Sequence, residues 1–162
     1  MVTYLPTFGR SWASAGPKTG NFSVMPKKSA PATVLVVDDE ALIRWTLAQA
    51  LGERGYDGTE AGDARGAIAA VEAAADPFDV VLLDYRLPDS ADLRLLGTLK
   101  RLAPSSQIIM ITAHNSPELT QGATALGAFR VLNKPFEVDS VAAMVDLALQ
   151  SHSRSSPGVN SR

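Results

Sequence analysis

Three short apolar runs constrain the fold more than any other feature of this sequence. They lie at Thr33–Val37, Phe78–Leu83 and Gln107–Ile111 and consist mainly of Val, Ile and Leu. A strand with apolar residues on both faces must be covered on both faces, as the buried strands of parallel sheets are. Two weaker strand candidates lie at Tyr56–Glu60 and Phe129–Leu132.

Helical spacing of apolar residues fills the stretches between these runs. The stripes lie at Ile43, Leu47 and Leu51, at Leu95, Leu96, Leu99 and Leu102, and at Val138, Val141, Val145 and Ala148. An alanine-rich helix over Asp63–Ala75 and a shorter one over Pro117–Leu126 complete five strand–helix units. Five units are too few for an eight-fold barrel, and right-handed crossovers place helices on both faces of an open sheet. The pattern therefore predicts an α/β fold with a five-stranded parallel doubly wound sheet and five helices.

Composition divides the chain into three parts. Residues 1–31 and 151–162 are polar and lack apolar periodicity, which predicts a disordered N-terminal extension and a disordered C-terminal tail around one domain at 32–150. A transit peptide is an alternative for the acid-free leader, and Met25 is an alternative start. The chain has no cysteine and no apolar run of about 20 residues, so we expect a cytoplasmic protein without membrane contact.

Charge is distributed unevenly along the chain. All 17 acidic residues lie between Asp38 and Asp146, whereas six of the 15 basic residues lie outside that segment. The segment is therefore strongly acidic and has no basic stripe that would bind nucleic acid phosphates. We expect it to bind a cation rather than nucleic acid.

Chemically active side chains follow several of the predicted strands. Asp38, Asp39 and Glu40 follow the first strand, Asp84 the third, Thr112 the fourth and Lys134 the fifth. The ligand crevice of an open parallel sheet lies outside the carboxyl ends of its strands, so these groups are expected to meet at one edge. Clustered carboxylates without nearby His or Cys suit Mg²⁺, and an aspartate, a metal and an ammonium together suit phosphoryl transfer.

Four segments in this order, VLVVDDE, LLDYRLPD, MITA and NKPF, resemble the receiver domain of two-component response regulators. The resemblance spans roughly residues 33–150 and implies a flavodoxin-like topology. It implies that Asp84 accepts the phosphoryl group, that Asp39 binds Mg²⁺ directly and that Asp38 does so directly or through water. The backbone carbonyl of Arg86 would complete the metal shell, Thr112 and Lys134 would contact the phosphoryl group, and the bond from Lys134 to Pro135 would be cis.

The same resemblance implies a phosphorylation-dependent signalling switch rather than an enzyme. A sensor histidine kinase would be the phosphodonor, and a downstream protein target or a histidine phosphotransfer protein would receive the signal. A phosphorylation-dependent homodimer is a further expectation. Arg86, paired with Glu40, is expected to shield the acyl phosphate from water, whereas His114 has either a similar role or none.

Two positions depart from the receiver pattern. Val131 stands where the family usually has an aromatic residue whose ring changes rotamer, and a β-branched side chain cannot make that movement. Phe129 lies two residues earlier, with the same strand parity but not at the matching position. Asp92 replaces the glycine commonly found eight residues after the acceptor, in a turn where Asp tolerates left-handed backbone.

Other functions remain as alternatives. A receiver-like binding module would signal without phosphorylation. A phosphorelay intermediate or phosphate sink would accept the phosphoryl group but would not act on a downstream target protein. A haloacid dehalogenase-like phosphatase needs a second Asp two residues after the nucleophile, where this chain has Arg86. A dinucleotide-binding protein would carry Gly-x-Gly-x-x-Gly after the first strand, and this chain does not.

Overall fold

The structure, a computed structural model, describes residues 30–154. The predicted disorder of the first 29 residues and of residues 155–162 therefore falls outside the described residues. None of the helices in the described part is both long and apolar enough to cross a membrane.

Strands and helices alternate strictly along the described residues, 30–154. The five strands are β1 (Thr33–Val37), β2 (Asp57–Ala61), β3 (Val80–Asp84), β4 (Gln107–Thr112) and β5 (Ala128–Asn133). The five helices are α1 (Ala41–Glu53), α2 (Ala64–Ala73), α3 (Arg94–Leu102), α4 (Pro117–Ala125) and α5 (Val138–Arg154). Each predicted element is present, so the strand–helix periodicity of the sequence is confirmed.

The strands form one parallel sheet in the order β2-β1-β3-β4-β5. This is the doubly wound, flavodoxin-like order. The chain adds β2 on one side of β1 and the later strands on the other side, so the topological switch point lies between β1 and β3. Val37 of β1 pairs with Leu83 of β3, so Asp38, which follows β1, and Asp84, the last residue of β3, lie side by side. The predicted fold class is thus confirmed, and the switch point lies at the carboxylates of Asp38 and Asp84.

Two apolar cores cover the two faces of the sheet. Leu35, Val81 and Ile108 point to the face covered by α2, α3 and α4. Their neighbours Val36 and Leu82 point to the opposite face, which α1 and α5 cover. Strands buried on both faces need apolar residues at consecutive positions, which explains the continuous apolar runs.

Helix α5 is longer than the sequence pattern predicts. It continues to Arg154, so the predicted boundary of the domain at residue 150 lies inside the helix. The hydroxyl of Ser151 donates to the carbonyl of Ala148 at 2.7 Å, and the first Gly or Pro after Val138 is Pro157. The predicted start of the polar tail at Ser151 therefore lies within the last turn of α5.

The apolar stripe of α3 is shorter than predicted. Leu95, Leu96 and Leu99 are buried, but Leu102, the last residue of the helix, is 43% exposed. Ala103, which follows the helix, takes the buried position instead and is 3% exposed. The helix ends at Leu102, and the chain changes direction at Ala103, so Ala103 rather than Leu102 continues the buried side of the helix.

A bulge in β5 changes which face its side chains occupy. Ile108 pairs with Ala128 and Ile109 with Arg130, so Phe129 is an extra residue between two register positions. Phe129 consequently packs with the α1 and α5 core, whereas Val131 packs on the other face. The expectation that these two residues share a strand face is therefore wrong.

Candidate functional site

Four predicted site residues lie at the carboxyl ends of strands, along one edge of the sheet. Asp38 comes directly after β1, Asp84 is the last residue of β3, Thr112 is the last residue of β4, and Lys134 comes directly after β5. The amide of Lys134 donates to the carbonyl of Thr112 at 2.8 Å, which holds the end of β5 against β4. Parallel pairing thus gathers residues that are up to 96 positions apart in sequence.

The ammonium of Lys134 lies between two buried carboxylates. Its Nζ atom donates to Oδ2 of Asp38 at 2.9 Å and to Oδ2 of Asp84 at 3.0 Å. Oε1 of Glu40 lies 3.4 Å from the same nitrogen. Asp38 is 2% exposed and Asp84 is 6% exposed, so one cation neutralises part of a largely dehydrated acidic cluster.

Burial and neighbouring charge set the ionisation of these groups. Burial raises the pKa of Asp84, and hydrogen bonds from Lys134 and from the Arg86 amide offset the increase only in part, while the charge of Asp38 adds to it. Burial alone would lower the pKa of Lys134, but its hydrogen bonds to Asp38 and Asp84 outweigh burial and hold the pKa above its usual range. The lysine therefore stays charged, and the carboxylates are left with excess negative charge.

Asp38, Asp39 and Asp84 fit a hard divalent cation. One carboxylate oxygen from each lies within 4.8 Å of the others, and the Asp39 side chain is exposed. All three donors are oxygens, which Mg²⁺ prefers, and it needs only one or two carboxylates together with water and phosphate oxygens. The donor set and the excess negative charge both suit Mg²⁺.

A comparison with protein families decides the identity of the domain. The family model described as the response regulator receiver domain matches residues 34–146. The chain belongs to this family. Membership implies phosphorylation-dependent signalling in a two-component system.

Several characterised proteins contain a similar receiver domain. The DNA-binding transcriptional regulator NtrC of Salmonella typhimurium is 37% identical over 119 residues, which cover 74% of this chain and 25% of that protein. The transcriptional regulatory protein PdtaR of Mycobacterium tuberculosis is 34% identical over 137 residues, which cover 83% of this chain and 62% of that protein. This chain thus spans about a quarter of the length of NtrC and less than two thirds of PdtaR.

Solved receiver structures have the same fold. A CheY-like receiver domain protein from Methanospirillum hungatei JF-1 superposes with a TM-score of 0.73 at 26% identity, over 78% of this chain and 99% of that one. The beryllofluoride-activated NtrC4 receiver domain, solved as a dimer, superposes with a TM-score of 0.68 at 32% identity, over 74% of this chain and 98% of that one.

The side chains of Arg86, Glu40 and Thr112 do not make the contacts that the receiver resemblance implies. The amide of Arg86 donates to Oδ1 of Asp84 at 3.1 Å, but its side chain is exposed. Glu40, the partner expected for Arg86, forms an ion pair with Lys134 instead. The hydroxyl of Thr112 donates to the His114 carbonyl and accepts from its amide, both at 3.2 Å, so it is turned toward its own loop.

Arg44 is a neighbour of the site that the sequence analysis missed. Its guanidinium donates to the carbonyl of Asp38 at 2.6 Å and pairs with Glu60 at 3.4 Å. The Glu40 amide donates to Oδ1 of Asp38 at 2.8 Å, which fixes that carboxylate from the other side. A basic residue one helical turn after Glu40 was the available signal.

Two smaller receiver expectations have clear outcomes. The bond between Lys134 and Pro135 is cis, as expected. Among the described residues, only glycines have positive φ, so Asp92 does not adopt the left-handed turn of the usual glycine. Its carboxylate accepts from the Arg94 amide at 2.8 Å, a local side-chain contact to the first residue of α3.

Proposed function

We propose that this receiver domain is a switch that accepts a phosphoryl group on Asp84. The observation that carries the proposal is the Asp84 carboxylate, buried at the end of β3 with the ammonium of Lys134 3.0 Å away. Burying more carboxylates than cations destabilises the fold, so such a cluster is more typical of a functional site than of a structural one. A bound cation and a phosphoryl group would use that charge.

The residues present divide the work of phosphoryl transfer. Asp38, Asp39, Asp84 and the backbone carbonyl of Arg86 would hold Mg²⁺, which would neutralise charge on the incoming phosphoryl group. An oxygen of Asp84 attacks phosphorus as the bond from phosphorus to the donor's imidazole nitrogen breaks, which leaves an acyl phosphate. Lys134 then pairs with the phosphoryl oxygens, and rotation of the Thr112 hydroxyl away from His114 lets it donate to one of them.

A switch of this kind exchanges partners rather than turning over substrate. The phosphodonor is a sensor histidine kinase, and hydrolysis of the acyl phosphate resets the domain, so we propose that the chain is not an enzyme acting on other molecules. The signal passes to a protein target or a histidine phosphotransfer protein. The dimer of the NtrC4 receiver supports a phosphorylation-dependent homodimer here too. Absence of nucleic acid binding stays a prediction, because the NtrC relatives are named as DNA-binding.

Phosphorylation by a small donor tests the acceptor directly. Wild-type protein and Asp84→Ala are incubated with acetyl phosphate or phosphoramidate, with Mg²⁺ or with EDTA, and analysed by intact mass. We expect one labile phosphoryl adduct on the wild type only, and only with Mg²⁺. Asp92→Ala removes an exposed carboxylate from the loop after β3 and should keep the adduct.

Beryllofluoride separates a short phosphate lifetime from an inactive site. If the wild type shows neither a phosphoryl adduct nor a Mg²⁺-dependent spectral change with beryllofluoride, the acceptor role is wrong. An adduct that persists in Asp84→Ala would place the acceptor elsewhere.

A further inference from the structure

An apolar groove lies between α1 and the segment that joins β5 to α5. Its volume is about 490 Å³. Six of the residues that line it are Leu42, Ile43, Thr46, Pro135, Phe136 and Val138. Leu42 is 74% exposed and Trp45, on the next turn of α1, is 58% exposed. Large apolar side chains left in water beside an apolar groove are typical of a binding surface.

Acidic side chains border this groove. Asp39 and Glu40 directly precede α1, and Glu137 stands between two lining residues of the β5–α5 segment; all three are exposed. Lys134 also lines the groove, but its charge is engaged by Asp38 and Asp84. Glu40 lies 3.4 Å from the same ammonium, so Asp39 and Glu137 are the border carboxylates that do not pair with Lys134. A ligand for this surface therefore combines apolar side chains with positive charge.

The first 29 residues of this chain have that composition. They contain none of the 17 acidic residues. They contain four of the chain's aromatic residues and four of its basic residues, namely Tyr4, Phe8, Trp12 and Phe22, and Arg10, Lys18, Lys27 and Lys28. The segment thus complements both the apolar lining and the acidic border of the groove.

The tether has a suitable length for Trp12 to reach the groove. Residue 30 precedes β1 at the amino edge of the sheet, and the groove lies at the carboxyl edge, about 17 Å away along a five-residue strand. Trp12 is 18 residues from Ala30. A random-coil chain of that length has a root-mean-square extent of about 23 Å, close to the span, which would give an effective concentration on the order of millimolar.

We propose that the groove between α1 and the β5–α5 segment binds the chain's own N-terminal segment, residues 1–29. Trp12 occupies the apolar lining, and Arg10 beside it faces the acidic border. This contact is independent of phosphoryl transfer, so its test stands whether or not Asp84 is the acceptor.

Tryptophan fluorescence of the full chain tests the contact. The chain has two tryptophans, so Trp45→Phe leaves Trp12 as the single reporter and keeps an aromatic ring at that exposed position of α1. We compare acrylamide quenching of Trp12 in that background with the same protein carrying Leu42→Glu. If the docked form is at least half populated, quenching in the parent should be at least roughly twofold weaker than in the Leu42→Glu protein.

A matched control and two further conditions complete the design. Leu147→Glu makes the same change at a leucine of α5 that is 51% exposed, and it should leave the protection of Trp12 intact. Added salt should weaken the protection, because it screens the basic segment from the acidic border. Equal quenching in the parent and the Leu42→Glu protein overturns the proposal. So does protection that appears only at high protein concentration, which would identify a second copy as the occupant.

Discussion

Replacing Lys134 with methionine removes the ammonium that contacts both buried carboxylates of the site, while keeping most of the side-chain volume. The Nζ atom of Lys134 lies 2.9 Å from Oδ2 of Asp38 and 3.0 Å from Oδ2 of Asp84, and the lysine side chain is 15% exposed. The variant therefore leaves two carboxylates buried without their cation. We expect it to be less stable without Mg²⁺ and to bind Mg²⁺ more tightly.

The distances set the size of both effects. At an effective dielectric constant of about 20, each pair attracts by about 5 to 6 kcal/mol, from which the desolvation of three charged groups must be subtracted. Breaking one partner of a buried ion pair costs about 3 to 5 kcal/mol, so we expect the free energy of unfolding to fall by about 3 kcal/mol. A cation bound about 2.1 Å from those oxygens lies within about 5 Å of Nζ. Even at the dielectric constant of water, about 80, removing that repulsion favours a divalent ion by about 1.7 kcal/mol, or more than about tenfold in affinity.

Urea denaturation in EDTA and calorimetric titration with Mg²⁺ measure the two effects. Lys100→Met is the matched control, because that lysine donates to the carbonyls of Pro104 and Ser106, both at 2.9 Å, and contacts no site carboxylate. It makes the same change in net charge and should leave Mg²⁺ affinity unchanged. If Lys134→Met binds Mg²⁺ no more tightly than the wild type, the two cations do not compete for the same carboxylates.

Three further predictions concern stability. Burial and the hydrogen bond to Asp146 raise the pKa of Tyr56 to about 12, so the fold favours the neutral phenol. That contribution to stability is complete below about pH 10 and is lost as the pH rises toward 12. Tyr56→Phe should be about 1 kcal/mol less stable than the wild type at pH 7, and its stability should not show this decrease between about pH 10 and 12. Urea titrations across this pH range measure both effects. Ser106→Ala, which removes a 2.6 Å hydrogen bond to a buried carbonyl, should cost about 1 to 3 kcal/mol in denaturant, and a loss under about 0.5 kcal/mol would refute this. Gly127→Ala should destabilise the protein by about 1 kcal/mol or more, because the φ of Gly127 is +94° and the new Cβ would lie 3.1 Å from a side-chain carbon. Gly97→Ala lies in α3 with open space around the new Cβ, so it should stabilise the protein by about 0.5 to 1 kcal/mol. Equal thermal midpoints for the two variants would contradict both expectations.

The parts of the fold that the sequence predicts are those with a local signal. The runs around Val36, Leu82 and Ile109 are apolar at consecutive positions because both faces of those strands are covered. Parallel pairing then requires that the residues after the strands meet, so Asp38 and Asp84 could be placed together without coordinates. The positions of the carboxylates follow from the register alone.

The parts that the sequence does not predict depend on contacts distant in sequence. The bulge at Phe129 comes from how β5 registers against β4, and no Gly or Pro beside it signals an extra residue. The pairing of Glu40 with Lys134 rather than Arg86 depends on side-chain directions across the site. The contact of Arg44 with the Asp38 carbonyl could not be predicted for the same reason, because this helix residue reaches the carbonyl only after α1 has packed on the sheet.

The contacts of Lys134 also determine when the site can exist during synthesis of the chain. Asp38 and Asp84 leave the ribosome 96 and 50 residues before Lys134 does. Domains generally begin to fold from the N-terminus as they are made, and contacts this distant in sequence form late. The two carboxylates therefore lack this counter-ion until β5 has joined the sheet, and the acidic site assembles only then.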